Sequence, residues 1–406
     1  MPCQRTRLEG MDAAALALLL QPEGFALLNS LPDYDDDAPL KTATALRAAG
    51  HSPELVAAVL TQSRLRTRAQ EKFGEFAAGM LFTPSGLEQA TRLEVAALHA
   101  QRFLNAGITE LSDLTAGIGA DALAMSSLGL AVTAYDLDET TAAVATVNLR
   151  MFPGSKVLHT NSLETPLPAN PKHGVWADPA RRDERGKRRH QAADYQPTLE
   201  QIVAHAGPDR ALGIKVGPGI AHQDIPAGAA AQWLSYHGAL LEAALWFGPL
   251  AAGSTDRTAL LLTKHGKYLI TASTPDPAPR AVGQFFYEPD PAVVRAGAVG
   301  TLAEDLDAGL LQPGISYLTS DTEHHSPFAR AYRVLDEFPF DVKHLKKYLR
   351  ARDVGTITIK KRGTDVLPEK LRGQLALKGT KPATIVLCPV GKSQRVFVVE
   401  PISSAI

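Results

Sequence analysis

The stretch Thr109–Asp138 constrains the fold of this chain more than any other part of the sequence. It contains a short apolar run (Glu110–Leu114), a turn with two glycines, a segment with helical spacing, and a second apolar run (Ala131–Tyr135) that ends at Asp136. This order is typical of a βαβ unit, in which the turn and the end of the second strand face the same crevice. The sequence therefore predicts a doubly wound α/β sheet with a ligand site at this edge.

The turn and Asp136 together indicate a nucleoside-cofactor site. Gly117 and Gly119 have no Cβ, so their backbone can approach a ligand closely. The helix N-terminus behind them favours a negatively charged group. Asp136 lies 19 residues after Gly117, where its carboxylate can accept hydrogen bonds from both hydroxyls of an adenosine ribose. Because Gly117, Gly119 and Ala122 also satisfy the loosened dinucleotide fingerprint, a nicotinamide-dependent dehydrogenase remains one interpretation.

Two further acidic residues favour S-adenosylmethionine. Asp113 ends the first strand just before the turn, at a position suited to the ammonium of a methionyl group. Asp178 follows a later apolar strand, Gly174–Ala177, and begins the motif Asp178-Pro179-Ala180-Arg181. With these residues the chain resembles a class I S-adenosylmethionine-dependent methyltransferase, of the bacterial group that carries a helical N-terminal region and a C-terminal THUMP-like domain.

Two motifs carry this resemblance, which extends from about Lys72 to the C-terminus. The family's Asp-Leu-x-x-Gly-x-Gly loop corresponds to Asp113–Gly119, and its motif after the fourth strand corresponds to Asp178–Arg182. The resemblance implies S-adenosylmethionine as cofactor and a Rossmann-like class I methyltransferase sheet that holds it. The residues expected to contact the cofactor are Asp113, Thr115, Gly117, Gly119, Asp136 and Asn161, the last through its amide oxygen to the adenine amino group.

The expected chemistry is in-line displacement of a methyl group from a sulfonium, for which an enzyme mainly aligns the acceptor and shapes the electrostatics. The resemblance implies catalytic roles for Asp178, which takes a proton or hydrogen bond from the acceptor, for Pro179, which fixes the backbone beside the methyl, and for Arg181. Related amino methyltransferases usually have Pro-aromatic where this chain has Ala180-Arg181, so the acceptor can be nitrogen or carbon. Stacking of a target base is expected from one of four other planar groups: Arg181, Arg182, Trp176 or Tyr195.

The composition is that of a soluble globular protein. Of 406 residues, 45% are hydrophobic and 21% are charged, and the length predicts two or three domains. The two cysteines, Cys3 and Cys388, support neither a disulfide framework nor a cysteine-ligated zinc site, and the pair His324-His325 is expected to lie in a surface turn rather than to bind a metal. No apolar run approaches the roughly 20 residues that span a bilayer. We expect a cytoplasmic protein that binds neither metal nor membrane.

Four regions are predicted along the chain: a helical N-terminal region (1–105), the methyltransferase domain (106–275), a connecting segment (276–330) and a small basic α/β domain (331–406). In the first region the expected helices are Met11–Leu20, Ala38–Ala49, Pro53–Lys72 and Ser85–Phe103. Ser85 is the expected N-cap of the last of these, with Glu88 completing a capping box. Pro22-Glu23-Gly24 is expected to be a loop, and a hairpin around His265-Gly266 is expected to close the second region.

Local charge indicates an RNA partner, although the whole chain has a net charge of −1. From Asp341 to Arg395, fourteen Lys or Arg residues face four Asp or Glu residues, a balance of +10. The loop 181–189 contains two acidic residues and six basic ones, namely Arg181, Arg182, Arg185, Lys187, Arg188 and Arg189. Basic surfaces bind phosphate through counterion release and carry no sequence information.

The sequence therefore predicts methylation of a base in tRNA or rRNA, with the RNA bound through these two basic regions. Two alternatives stay open. One is a methyltransferase of small molecules or proteins, and the other is an RNA-binding protein whose methyltransferase fold is catalytically silent.

Overall fold

The computed structural model describes residues 13–181, 195–251 and 255–402, with the backbone alone for Arg181. These residues form two compact units. The first contains the described chain up to Val216 and the short stretches Pro226–Ala229 and 245–251, and the second contains Gly217–Ile225, Ala230–Ala244 and 255–402. Within these described ranges, every helix is too short or too polar to cross a membrane.

Six helices precede the sheet of the first unit: α1 (Ala13–Leu20), α2 (Pro22–Ser30), α3 (Pro39–Ala48), α4 (Pro53–Phe73), α5 (Pro84–Gln89) and α6 (Leu93–Asn105). The long helix α4 begins after Ser52, whose hydroxyl accepts a hydrogen bond from the N–H of Leu55. The predicted loop at Pro22-Glu23-Gly24 is wrong, because this segment begins α2. A proline suits the first turn of a helix, where its missing N–H would have no helical partner.

The predicted helix Ser85–Phe103 is two helices, α5 and α6, separated at residues 90–92. The N-cap of α5 is Thr83, whose Oγ1 accepts a hydrogen bond from the N–H of Gly86 at 2.9 Å. The predicted cap at Ser85 is therefore wrong. Pro84 takes the first position of the helix and moves its start towards the N-terminus.

The first unit contains five parallel strands: β1 (Glu110–Asp113), β2 (Ala131–Asp136), β3 (Lys156–His159), β4 (His173–Ala177) and β7 (Leu212–Val216). Their order is β7-β4-β1-β2-β3, and the helices between them are α7 (Ala120–Ser127), α8 (Glu139–Leu149) and α9 (Leu199–Val203). A separate antiparallel pair is formed by β5 (Ala180–Arg181) and β6 (Tyr195–Gln196). The predicted βαβ unit is confirmed. Because the five strands are parallel, Asp113, Asp136 and Asp178 lie at one edge of the sheet.

The core beside β4 is aromatic. Trp176 and Trp246 are fully buried, with ring centroids 5.8 Å apart. Phe103 of α6 packs edge-on against Trp176 at 6.4 Å. Gly213 lies against both indoles. A Cβ at this position would be 2.6 Å from the Trp246 ring and 2.8 Å from the Trp176 ring, so a larger residue would clash. These contacts fix α6 to the sheet.

The segment Met80–Phe82 is buried although it belongs to no helix or strand. Side-chain amides take the place of a neighbouring strand. Gln62 of α4 accepts from the N–H of Phe82 at 3.0 Å and donates to its carbonyl at 2.7 Å. Asn148 of α8 does the same for Leu81, at 2.8 and 3.0 Å. The buried backbone groups of both residues are thereby satisfied.

Four strands follow in the chain: β8 (Ala230–Tyr236), β9 (Ala239–Phe247), β10 (Arg257–Thr263) and β11 (Gly266–Thr271). In the second unit β8 and β10 are parallel, and β10 and β11 are antiparallel. The predicted hairpin at His265-Gly266 is confirmed by this antiparallel pair. The strand β9 begins in the second unit and ends in the first.

The rest of the second unit is a seven-stranded sheet of β12 (Phe285–Pro289), β13 (Gly309–Gln312), β14 (Ile315–Ser320), β15 (Ala329–Pro339), β16 (Val354–Lys361), β17 (Lys381–Val390) and β18 (Ser393–Pro401). The order is β13-β14-β12-β15-β18-β17-β16. The helices of this second unit are α10 (Pro291–Ala296), α11 (Val299–Asp305), α12 (Val342–Ala351) and α13 (Pro368–Leu375). Thus β12–β14, from the predicted connecting segment, share a sheet with the strands of the basic region. The predicted α/β fold class is confirmed.

Candidate active site

The turn between β1 and α7 has the conformation that its two glycines permit. Gly117 and Gly119 have φ values of +54° and +81°, in the region that favours glycine. A Cβ on Gly117 would meet no atom within 4 Å, so the backbone there faces open space. The N–H of Ala116 donates to the carbonyl of Tyr135 at 2.8 Å and ties the turn to β2. A ligand can therefore approach the backbone of this turn.

Asp136 closes the far side of the turn. Its carboxylate accepts hydrogen bonds from the N–H of Gly117 and the N–H of Asp138, both at 2.9 Å. Burial raises the pKa of Asp136, and these two N–H groups partly offset that effect. Each carboxylate oxygen keeps acceptor capacity beyond the one bond it makes, so the group can also bind hydroxyls of a ligand.

Asp113 is buried, with 1% of its surface exposed. Its Oδ1 accepts a hydrogen bond from the N–H of Thr115 at 3.2 Å. Burial raises its pKa well above the usual range, and the neighbouring charges of Asp121, Asp178 and Asp136 raise it further. The raised pKa favours the neutral form of Asp113, and a positively charged ligand group beside it would favour the charged form.

Thr115 and Asn161 both hold backbone groups near the site. Oγ1 of Thr115 accepts a hydrogen bond from the N–H of Asp178 at 2.6 Å, which joins the glycine turn to the motif after β4. Asn161 caps a short 3-10 turn: its Oδ1 accepts from the N–H of Leu163 at 3.2 Å, and its Nδ2 donates to Glu164 at 2.7 Å. The amide oxygen keeps a second lone pair, so the predicted contact with adenine stays a prediction.

Asp178 forms an ion pair that the sequence did not predict. Nζ of Lys215, on β7, donates to Oδ2 of Asp178 at 2.7 Å and to Oγ1 of Thr91 at 2.8 Å. The side chain of Lys215 is 15% exposed and that of Asp178 is 33% exposed. A partly buried ammonium at this distance favours the charged form of the carboxylate, which is the form that can accept a proton.

The same polar network continues into the helical region. Thr91 donates to Oδ2 of Asp121 at 2.8 Å, and Nδ1 of His99 lies 3.1 Å from Oδ1 of Asp121. Burial raises the pKa of Asp121, but the hydrogen bond and charge of His99, together with Lys215, outweigh burial and leave it lowered. This carboxylate is therefore held charged beside Lys215, and residues of α6 and of the loop before it help to position the Asp178 pair.

The remaining motif residues, Pro179 and Arg181, lead into the pair β5–β6. Arg181 pairs with Tyr195 across this short ribbon. The described residues on either side of the basic loop are therefore neighbours, close to Asp178 in the chain. Arg182 and the other basic residues of the loop up to residue 189 lie outside the described residues.

Comparison with known proteins identifies the family. The chain is 32% identical over 336 residues to uncharacterized S-adenosylmethionine-dependent methyltransferases of two Mycobacterium tuberculosis strains, CDC 1551 and H37Rv, covering 80% of this chain and 91% of each relative. The chain belongs to the S-adenosylmethionine-dependent methyltransferases. Residues 329–401 of this methyltransferase match the THUMP domain-like family, and residues 12–69 match a domain of unknown function, DUF8688.

A solved structure agrees with this fold. The crystal structure of a candidate methyltransferase from Porphyromonas gingivalis W83 superposes with a TM-score of 0.71 at 21% sequence identity, covering 91% of this chain and all of that chain. S-adenosylmethionine is the cofactor of this methyltransferase. S-adenosylmethionine fits the residues present, because the open backbone at Gly117 admits a ligand and the carboxyl groups of Asp113 and Asp136 at the turn offer acceptors for its ammonium and hydroxyls.

Two predicted stacking groups of the methyltransferase are excluded by burial. Trp176 is fully buried among His99, Phe103 and Trp246, so its ring cannot meet a target base, and that prediction is wrong. Tyr195 is also buried, with 5% of its surface exposed. Every residue of β4 is buried, as is usual for a strand of a parallel sheet covered on both faces.

The described part of the methyltransferase contains no group of three or more His, Cys, Asp or Glu residues arranged to hold a metal. Cys388 is a free thiol in the core of the second unit. Burial raises its pKa to about 12, so it stays protonated at neutral pH.

The basic residues of the THUMP-like region differ in their surroundings. Lys360 is paired with Glu288 at 2.5 Å, and Arg395 with Glu337 at 2.8 Å; both pairs are partly buried and link strands. Others are exposed on helices. On α12, Lys343 and Lys347 are exposed on the side opposite Leu345 and Leu349, which are fully buried.

Proposed function

We propose that this methyltransferase methylates a base in tRNA or rRNA. The observation that supports its chemistry best is the position of Asp178, at the same sheet edge as Asp113 and Asp136 and bonded through its N–H to Thr115 of the glycine turn. An acidic group beside the cofactor turn is suited to receive the proton of an acceptor.

Each predicted site residue has a role in this proposal. Asp136 would hold the ribose hydroxyls, Asp113 would hold the ammonium, and Gly117 and Gly119 would let the turn backbone lie close to the cofactor. Asn161 accepts from the adenine amino group through its second lone pair. Thr115 holds the backbone of Asp178 in register with the turn. When bound, S-adenosylmethionine supplies a methyl group on a positively charged sulfur.

Asp178 acts as the base in the proposed reaction. Its carboxylate would accept the proton that an amino acceptor loses when it is methylated. Nζ of Lys215 donates to Oδ2 of this carboxylate at 2.7 Å, and its positive charge favours the charged form that can accept a proton. Pro179 fixes the backbone beside the methyl, and Arg181 with the following basic loop contacts the base or its phosphate.

The THUMP-like region supports RNA as the substrate class. Its two exposed helices carry lysines on their outer faces, Lys343 and Lys347 on α12 and Lys370 on α13. Lysines four apart lie on one helix face and can follow a phosphate backbone. Contacts of this kind position RNA without reading its sequence, which leaves the choice of nucleotide to the site around Asp178.

The experiment is methyl transfer from labelled S-adenosylmethionine to fractionated RNA from a cell that lacks the protein. We expect label in the tRNA or the rRNA fraction. The Asp178→Asn protein should lose roughly 10²–10⁴ in turnover with nearly unchanged cofactor affinity. Asp209→Asn, the same change at an exposed residue before β7, is the control. Label found in proteins or small molecules and absent from RNA would contradict the proposal.

A further inference from the structure

A second charged site lies in the first unit, built from the helical region and the end of α8. A cavity of about 390 Å³ is lined by Arg66 of α4 and Arg150 at the end of α8, together with Asn29, Ser63 and Thr67. Neither Asp113, Asp136 nor Asp178 lines it. The cavity is therefore separate from the acidic edge of the sheet.

Arg66 is buried without full satisfaction of its guanidinium. It is 9% exposed. Its Nε donates to the carbonyl of Met80 at 2.9 Å, and its Nη1 donates to Oδ1 of Asn29 at 2.9 Å. Its Nη2 is buried and has no hydrogen-bond partner among the described residues. Buried polar groups in native proteins are nearly always paired, and an unpaired charged donor is strongly unfavourable.

Arg150 adds a second positive charge. Its Nη1 donates to the carbonyls of Gly79 and Val147 at 2.8 and 2.7 Å. Both guanidinium groups lie over the ring of Phe25, at 5.9 Å for Arg66 and 5.1 Å for Arg150. Burial and the charge of Arg150 lower the pKa of Arg66 to about 10, and no carboxylate contributes to that balance. Two like charges are thus held close together without a described anionic partner.

We infer that this cavity binds a phosphate-bearing ligand, whose oxygens accept hydrogen bonds from Arg66 and Arg150. Guanidinium groups match phosphate oxygens in geometry and charge, and a bound phosphate supplies the acceptor that Nη2 of Arg66 lacks. The cavity volume lies within the roughly 300–1,000 Å³ of small-molecule sites, so it admits a sugar phosphate or a nucleotide of an RNA chain. Asp33, the acidic residue in the lining, is exposed, and water screens its charge.

Calorimetry on the full-length protein in phosphate-free buffer tests this site, with S-adenosylhomocysteine present to fill the cofactor site. The probe is ribose 5-phosphate, and ribose is its uncharged counterpart. We expect saturable binding of ribose 5-phosphate and none of ribose. Arg66→Lys keeps the charge but cannot reach three partners, so affinity should fall roughly ten- to a hundredfold, the loss expected for a charge-assisted hydrogen bond. Arg150→Lys should weaken binding in the same direction.

The matched control is Arg68→Lys, the same substitution at an exposed position of α4, which should bind like the wild type. Circular dichroism and S-adenosylhomocysteine binding establish that each variant is folded.

A labelled RNA fragment identifies the source of the phosphate. If RNA occupies the cavity, ribose 5-phosphate competes with it and Arg66→Lys weakens RNA binding; if a free sugar phosphate does, RNA binding is unaffected. Two results would overturn the assignment. One is that ribose 5-phosphate and RNA each bind equally well to the wild type, Arg66→Lys and Arg150→Lys, and the other is that neither probe binds.

Discussion

Replacement of Lys215 by methionine tests whether the ion pair with Asp178 serves the reaction. Methionine keeps most of the apolar stem of lysine but removes the ammonium that lies 2.7 Å from Oδ2 of Asp178 and 2.8 Å from Thr91. A hydrogen bond to a charged group contributes roughly 1.5–3 kcal/mol. Because Asp178 is 33% exposed, water weakens the pair and the lower half of that range applies. We therefore expect kcat to fall roughly 13- to 45-fold.

The assay is single-turnover methylation across a range of pH. The ammonium favours the charged carboxylate, so its removal should shift the acidic limb of the pH–rate profile to higher pH and make the loss largest at low pH. Lys215→Arg retains the charge and should recover part of the rate. Lys172→Met, the same change at an exposed lysine before β4, should behave like the wild type. A folded Lys215→Met enzyme with normal kcat and an unmoved acidic limb would refute a role for the pair.

Three further predictions concern the cofactor, RNA and stability. Asp136→Ala should weaken S-adenosylmethionine binding by roughly 1.5–3 kcal/mol, measured by calorimetry, and an unchanged Kd would contradict ribose binding by this residue. Alanine at both Lys343 and Lys347 should lower the slope of log RNA affinity against log salt by about 0.7–0.9 for each phosphate that these lysines neutralise, measured by fluorescence anisotropy; an unchanged slope would place RNA elsewhere. Burial lowers the pKa of Lys72 to about 8 from its usual 10.5, so between these values the unfolded state binds more protons and the free energy of unfolding should rise with pH. Urea unfolding should show this rise in the wild type but not in Lys72→Met, and equal pH dependence in the two proteins would contradict the shift.

The part of the site that the sequence predicts is the part made within one βαβ unit. Asp113, Gly117 and Asp136 lie within 24 residues of one another, and the spacing of strand, turn and helix brings them together whatever the rest of the chain does. The contact between Gly117 and Asp136 depends only on that local geometry. For this reason a pattern of glycines and acids was sufficient to locate it.

Lys215 could not be found in this way. It is 37 residues from Asp178 and 124 residues from Thr91, so its partners depend on strand order and on the docking of α6. In the sequence it is a single lysine near the end of an apolar strand, which is compatible with many surface positions. The opposite error occurred at Trp176. Trp176 was one of four planar groups predicted to stack on a base, but a strand buried on both faces places its ring in the core.

The support of Met80–Phe82 by Gln62 and Asn148 has a consequence for how this protein can be divided. Asn148 also donates to the carbonyl of Ile118, inside the glycine turn, at 2.8 Å. Removal of the helical region would take away Leu81, so that Oδ1 of Asn148 loses its donor and Nδ2 keeps only the carbonyl of Ile118, at about 1–3 kcal/mol for each group left unsatisfied. The secondary structure thus changes near residue 105, but dividing the chain there would separate Asn148 from the backbone groups that it binds. Consider a hybrid protein in which residues 1–105 come from a relative. It should keep the conformation of its glycine turn only when residues 62, 80–82 and 148 all come from the same parent.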